Sequence, residues 1–340
     1  MKKSYLTRWF GTALLILTVL LVACGDNTAT SVPATTTTKV ATTSAATTAS
    51  ALTTTAAATT AATFPLELKD DAGRTVKLAK AATKIVSLAP SSTEILYALG
   101  LAEQVVGVDQ FSNYPPEAAK KEQVGSFADI NLEKVISLSP DLVLATSLHL
   151  KTVVPTLEQR NINVIVFDPK DLAGVVANIK LVGKAAGVPD KGDTEAKNFQ
   201  NRLDNVASKV KNASKKVTVF FDLGDLYTVA AGSFLNDMIE KAGGVNIAPA
   251  GTNPYPQLTN EVIIAADPQV IILSSGDGGF VKDDAAAIST VTARAGWDKL
   301  TAVKNKNIRT VIADLTNRPG PRAAEGVEQI ALALYPDLFK

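Results

Sequence analysis

The sequence predicts an α/β protein of two Rossmann-like, three-layer lobes joined by one long bridging α-helix. Three observations predict it. Short apolar runs alternate with helical patterns through residues 64–189 and again through 214–340, which is the signature of parallel sheets covered by helices. A polar stretch over 190–213 interrupts them, with Phe199, Leu203, Val206 and Val210 spaced 4, 3 and 4 apart, a single narrow helical face. Finally, Pro140-Asp141-Leu142-Val143-Leu144 and Pro268-Gln269-Val270-Ile271-Ile272 occupy equivalent places in the two halves, as expected of two similar lobes.

The elements follow in order. Lys2, Lys3 and Arg8 precede an apolar run from about Phe10 to Ala23. A basic head, an apolar core and small residues before a break make a secretory signal peptide over 1–23. The run is short for a membrane span, which needs about 20 apolar residues. Cys24, the chain's one cysteine, follows Leu21-Val22-Ala23; this looks like a bacterial lipobox, in which the thiol takes a diacylglycerol and becomes the mature N-terminus. Residues 24–63 then read as a tether. From Thr28 to Thr63 the chain is nearly all Thr, Ala and Ser, with Lys39 its one charge. Such a stretch does not bury enough apolar surface to offset its ordering entropy, and as a flexible coil it spans about 30–40 Å.

The folded sequence starts near Phe64. Leu66–Leu78 alternates about Asp70-Asp71-Ala72-Gly73 and predicts a hairpin. Residues 84–88, 105–108, 142–145 and 163–167 read as strands; 91–100, 131–138, 151–160 and 171–186 read as helices, the first with Ser91-x-x-Glu94 as capping box and Gly100 as C-cap. In the second half 217–221, 270–273 and 307–313 read as strands, and 234–242 and about 321–334 as helices.

Composition excludes several classes. Removing residues 1–23 takes away three positive charges and lowers the formal balance from +1 to about −2, which leaves no electrostatic footprint for nucleic acid. The single histidine, His149, does not supply the ligand cluster of a zinc or manganese receptor; it reads as a loop or helix-start residue. No Gly-x-Ser-x-Gly, Walker-type or strand-linked Gly-x-Gly-x-x-Gly motif occurs, so the chain reads as a non-enzyme. A surface adhesin on a stalk fits the tether alone. Two similar lobes on a stiff helix make a cleft, and clefts between domains are favoured ligand sites.

Lys84-Ile-Val-Ser-Leu-Ala-Pro-Ser-Ser-Thr-Glu94 resembles the opening of ABC-importer substrate-binding proteins for cobalamin and iron-siderophores. Ser112-Asn-Tyr-Pro-Pro-Glu117, Gln123-Val-Gly-Ser-Phe127, Asn131-Leu-Glu-Lys134, Ser233-Phe-Leu, Gly243-Gly-Val-Asn246, Tyr255-Pro-Gln-Leu-Thr-Asn-Glu261 and Arg318-Pro-Gly-Pro-Arg322 continue the match in order. The resemblance implies a class III periplasmic-binding-protein-like fold and a monomer with no prosthetic group. It would sit outside the cytoplasm, anchored by lipid on Cys24, and deliver a corrinoid, cobalamin, to an ABC permease dimer with its ATPase. A ferric siderophore or haem is the alternative ligand.

The resemblance also implies site residues. Tyr114 matches an aromatic that packs on the corrin, and Phe127 and Tyr255 fall where cobalamin-binding members carry tryptophans. A flat ligand needs apolar faces, which aromatics provide at low entropic cost; ordinary loop or core packing is the other reading of the three. Glu133 and Glu261, one per lobe in the first turn of a predicted helix, would each reach an arginine of the permease, or serve only as favourable charge at a helix N-terminus. Arg318 and Arg322 would meet amides, phosphate or carboxylates of the ligand, or pair with Asp314 or Glu325. Asp222 and Asp225 follow a strand where a loop of the second lobe would face the cleft, and Trp297 reads as lobe packing.

Overall fold

The computed structural model describes residues 62–276, 279 and 282–340. The predicted signal peptide, Cys24 and the predicted tether up to residue 61 lie outside the described residues. Among the described residues no helix is long and apolar enough to cross a membrane.

The chain opens with an antiparallel hairpin, β1 (Leu66–Lys69) and β2 (Thr75–Leu78), in which Leu68 faces Val76. The first lobe then runs β3 (Ile85–Ser87), α1 (Pro90–Ala98), β4 (Val105–Val108), a small hairpin of β5 (Gly125–Ser126) and β6 (Asp129–Ile130), α2 (Leu132–Ser137), β7 (Leu142–Thr146), α3 (Val154–Glu158), β8 (Asn163–Phe167) and α4 (Leu172–Ala185). Helix α5 (Pro189–Val210) crosses to the second lobe. That lobe comprises β9 (Val217–Asp222), α6 (Phe234–Lys241), β10 (Gly244–Asn246), α7 (Asn260–Ala266), β11 (Val270–Ser275), α8 (Asp284–Thr292), α9 (Thr301–Lys304), β12 (Ile308–Ile312), α10 (Ala313–Thr316) and α11 (Ala323–Leu334).

Both main sheets are parallel and have the same order. The first is β4-β3-β7-β8 and the second β10-β9-β11-β12. The central strand β7 is apolar from Leu142 to Ala145 because helices cover both faces, and all four residues are fully buried. Alternate residues serve different cores. Val86, Val143 and Val164 belong to an outer core of the first lobe, and Phe220, Ile271 and Trp297 to an outer core of the second. Ile85, Leu142 and Leu144 join Phe199 and Leu203 of α5 and Phe221, Ile272 and Ile330 of the second lobe in one continuous inner core.

Helix α5 is held on both sides. Ala196, Phe199, Leu203 and Val206 are its buried stripe. It crosses α4 where Gly192 meets Gly183; a Cβ built on Gly183 would lie 2.9 Å from the Gly192 Cα. Arg202 forks onto Glu328 at 2.9 and 2.7 Å and onto Glu325 at 2.9 Å, tying α5 to α11. These contacts make α5 a clamped strut. It spans 189–210 where the spacing predicts 190–213, because Pro189 supplies the first helical position.

Three sequence expectations are corrected. The Ser91-x-x-Glu94 capping box does not form: Ala89 is the N-cap with no side-chain cap, Pro90 opens the helix, and Glu94 points to two arginines instead. Only Val154–Glu158 of the predicted 151–160 helix is α-helical. The last helix begins at Ala323, with Pro321 and Arg322 in the preceding turn. Gly100 does take the left-handed conformation of a helix stop, with φ +67°.

Candidate functional site

All eight parallel strands run toward one cleft, and ligands of open α/β sheets bind beyond the carboxyl ends of the strands. The cleft encloses a cavity of about 660 Å³. The start of α1 contributes Ser91 and Ser92, the segment after β4 contributes Phe111, and the β5–β6 hairpin contributes Phe127. The segments after β7 and β8 add Thr146 to Leu148 and Phe167 to Pro169. From the second lobe come Phe234, Tyr255, Asp314 and Arg318. Apolar surface predominates, with a few polar groups among it, as small-molecule sites require.

The first-lobe wall is a pair of rings. Phe111 and Phe127 meet with centroids 5.5 Å apart at 55°, and both remain about two-fifths exposed, at 43% and 41%. His149 fixes Phe127 from behind: its Nδ1 accepts from the Thr146 N–H at 3.0 Å and its Nε2–H donates to the Phe127 carbonyl at 2.8 Å. The imidazole is buried, and burial holds its pKa below the usual 6.5. His149 thus ends a short 3-10 turn, Ser147–His149, between β7 and α3.

Opposite stands Tyr255, half exposed, with its hydroxyl pKa raised by burial. A second cavity of about 490 Å³ opens beside it within the second lobe, sharing Phe234, Tyr255 and Asn317 and adding Asp225 and Tyr227. Phe127 and Tyr255 are therefore brought together across one cavity. Tyr114 is not among its lining residues; its ring lies under the Arg322 guanidinium, 3.7 Å from ring centre to guanidinium carbon.

Arg318 and Arg322 flank the turn Pro319-Gly320-Pro321, and both reach across to Glu94 of the first lobe. Arg322 donates from Nε at 2.9 Å and from Nη2 at 2.6 Å; Arg318 donates from Nη1 at 3.2 Å. Arg318 also pairs with Asp314 at 2.9 Å and donates to Asn113 at 2.8 Å. Of the two pairings the sequence suggests, Asp314 is met, whereas Glu325 goes to Arg202. Only Arg318 of the two arginines lines the cavity.

Glu133 and Glu261 are both exposed and are each the second residue of their helices, α2 and α7. These helices occupy equivalent places, each leading into the third strand of its sheet. Asn131 and Thr259 cap them by accepting from Lys134 N and Val262 N. The backbone N–H of Glu261 and the Thr259 hydroxyl hold the Glu261 pKa below its usual value.

Asp222 does not face the cleft. It is buried and accepts from Arg294 at 2.6 Å, in a separate depression of the second lobe, because a carboxylate so enclosed needs a cation. Trp297 packs the lobe: it is fully buried, edge-on to Phe220 at 5.9 Å, and donates to Asn260. Among the described residues no group of three or more His, Cys, Asp or Glu side chains is arranged to hold a metal.

Sequence reasoning missed Glu94, whose role was masked by a serine three residues earlier, and Phe111 and Phe234, whose positions in loop and helix start carry no local signal. His149 carried one: it is the chain's single imidazole and lies just past a strand end.

A sequence model described as "periplasmic binding protein" matches residues 85–315. The chain is 37% identical over 286 residues to YvrC of Bacillus subtilis, an uncharacterised ABC transporter substrate-binding lipoprotein, covering 82% of this chain and 88% of that one. It is 32% identical over 256 residues to the vitamin B12-binding protein of Vibrio cholerae, covering 74% and 89%. The crystal structure of a Staphylococcus epidermidis protein described as a possible iron-binding, periplasmic solute-binding protein superposes with a TM-score of 0.67 at 31% identity, covering 75% of this chain and all of that one. The chain belongs to the periplasmic binding protein family. It is an extracytoplasmic substrate-binding protein of the ABC-importer class, which takes a small ligand to a permease and catalyses no reaction.

Proposed function

We propose that this protein captures a corrinoid, cobalamin, in the cleft and hands it to an ABC permease dimer and its ATPase while anchored to the membrane by lipid on Cys24. The observation that carries the ligand is the pair of opposed aromatic walls, Phe127 with Phe111 on one lobe and Tyr255 on the other, across about 660 Å³. A broad, flat, neutral ligand gains apolar contact from both. The charge of the lining supports the same choice. It holds Asp168, Asp314 and Arg318, and Arg318 is already engaged by Glu94 and Asp314. Relatives named for vitamin B12 in Vibrio cholerae and for cobalamin in Halobacterium salinarum agree with it, and YvrC, named a lipoprotein, agrees with the role given to Cys24.

Phe127, Tyr255 and Arg318 meet the ligand in the cavity; Tyr114 and Arg322, stacked on each other outside its lining, reach only parts of the ligand that extend beyond it. Glu133 and Glu261 dock the two permease subunits: matched carboxylates on a clamped body set orientation and capture rate. The protein works as a monomer.

A ferric siderophore or haem is the second reading, favoured by the iron-binding description of the Staphylococcus epidermidis structure. Equilibrium dialysis against cyanocobalamin, haemin and a ferric siderophore tests it. Retention of cyanocobalamin at one per chain is expected; retention of an iron ligand with none of the cyanocobalamin would replace the corrinoid reading by the second.

A further inference from the structure

Glu94 is a charged side chain only 2% exposed, held between two arginines of the other lobe that are 15% and 11% exposed. It lies in α1, the helix after β3, but is not among the cavity-lining residues, although Ser91, Ser92 and Ile95 of the same helix are. Its two oxygens receive three guanidinium N–H groups. A planar bidentate fork such as the one Arg322 makes fixes angle as well as distance.

The contact is fitted on both sides. A Cβ built on Gly320 would stand 3.2 Å from the Ser91 carbonyl oxygen, so the Pro319-Gly320-Pro321 turn rests directly on the start of α1. On the first lobe, Thr93 donates to Ser112 at 2.7 Å, and Ser112 donates in turn to the buried Asp109. That chain of hydroxyls locks α1 to the 109–114 segment, which presents Phe111 to the cavity, Asn113 to Arg318 and Tyr114 to Arg322.

We propose that Glu94 is a positioning residue of the binding site: through Arg318 and Arg322 it holds the lobes at the spacing at which the two aromatic walls face each other. It acts without touching the ligand. A carboxylate buried this deeply holds its place only while both cations stay, and losing one side of such a pair leaves an uncompensated charge. The clasp therefore keeps the ligand-free cleft already formed, and binding does not have to supply the ordering. The inference rests on the cleft being the ligand site and is independent of which ligand enters.

The test uses the full chain with Cys24→Ala and spin labels on Gln159→Cys at the end of α3 and Lys304→Cys on α9, both exposed. Label-to-label distances are read without ligand. With Glu94→Gln added, a shifted or broadened distance distribution is expected while thermal unfolding stays cooperative. An unchanged distribution in a folded Glu94→Gln protein overturns the proposal. Should Glu94→Gln not fold, Glu94→Asp, which keeps the charge and shortens the reach, must show the shift, and its absence overturns the proposal equally. If the variant holds the parent spacing for about a tenth of the time, cyanocobalamin binding weakens about tenfold. Failure of the parent to bind cyanocobalamin would remove the corrinoid reading and leave the distance result standing.

Discussion

The Nε2 of His149 lies 2.8 Å from the carbonyl oxygen of Phe127, across 22 residues of sequence. Because Nδ1 already accepts from the Thr146 N–H, the neutral ring must carry its proton on Nε2. A protonated ring would set a second N–H against that of Thr146. Burial lowers the His149 pKa from 6.5. A histidine with a lowered folded pKa contributes stability above about pH 6.5 that is lost as pH falls toward its folded value. The expected outcome is a melting temperature that declines from pH 7 to 5, with a shallower decline in His149→Gln. The comparison must be made between the two proteins, since Asp109, whose pKa burial raises, works in the opposite direction in both.

Phe127→Ala and Tyr255→Ala remove rings that are 41% and 47% exposed in the ligand-free protein. Each should weaken cobalamin binding by about 1–2 kcal/mol, a factor of about 5–30, and leave the melting temperature nearly unchanged. Calorimetric titration and thermal melts on the same samples check both halves.

Charge reversal at Glu133 and Glu261 leaves the cleft untouched, since both are exposed on helices away from the lining residues. Uptake by cells carrying the double variant should fall while ligand affinity stays at the parent value. Normal uptake would remove the docking assignment. The loss of favourable charge at each helix N-terminus, about 0.3–1 kcal/mol, is small beside that effect.

Gly183→Ala pushes a methyl to 2.9 Å from the Gly192 Cα and 3.1 Å from the Val188 carbonyl oxygen. Backbone on both sides yields little, so a loss of about 1–3 kcal/mol in stability is expected, read by denaturant titration. Unchanged stability would mean that α4 and α5 separate freely and that α5 is not a clamped strut.

Much of the fold was legible because it is written in periodicity. The strands around Leu142–Ala145 and Val270–Leu273 are runs that only a two-sided burial explains, and Phe199, Leu203 and Val206 mark the inner face of α5 on spacing alone. The short strand β10 has one apolar side chain, and helix α8, rich in alanine, buries only Val291, so neither gives that signal. The site was legible in part. Phe127 and Tyr255 stand out as aromatics in polar loops, but their meeting across one cavity depends on strand order, which local sequence does not encode. Glu94 was misread for a physical reason: a glutamate three residues after a serine has a local hydrogen-bonding option, and the stronger partners lie 224 and 228 residues away. Arg318 does meet its sequence neighbour Asp314, whereas Arg322 takes the distant Glu94 and Glu325 goes to Arg202.

The most direct test of the central claim, that the aromatic-walled cleft takes a corrinoid, is calorimetric titration of the protein with cyanocobalamin beside a Phe127→Ala/Tyr255→Ala double variant. One-to-one binding by the parent, greatly weakened in the double variant, is the predicted result. Absence of binding by the parent, or equal binding by the double variant, would contradict it.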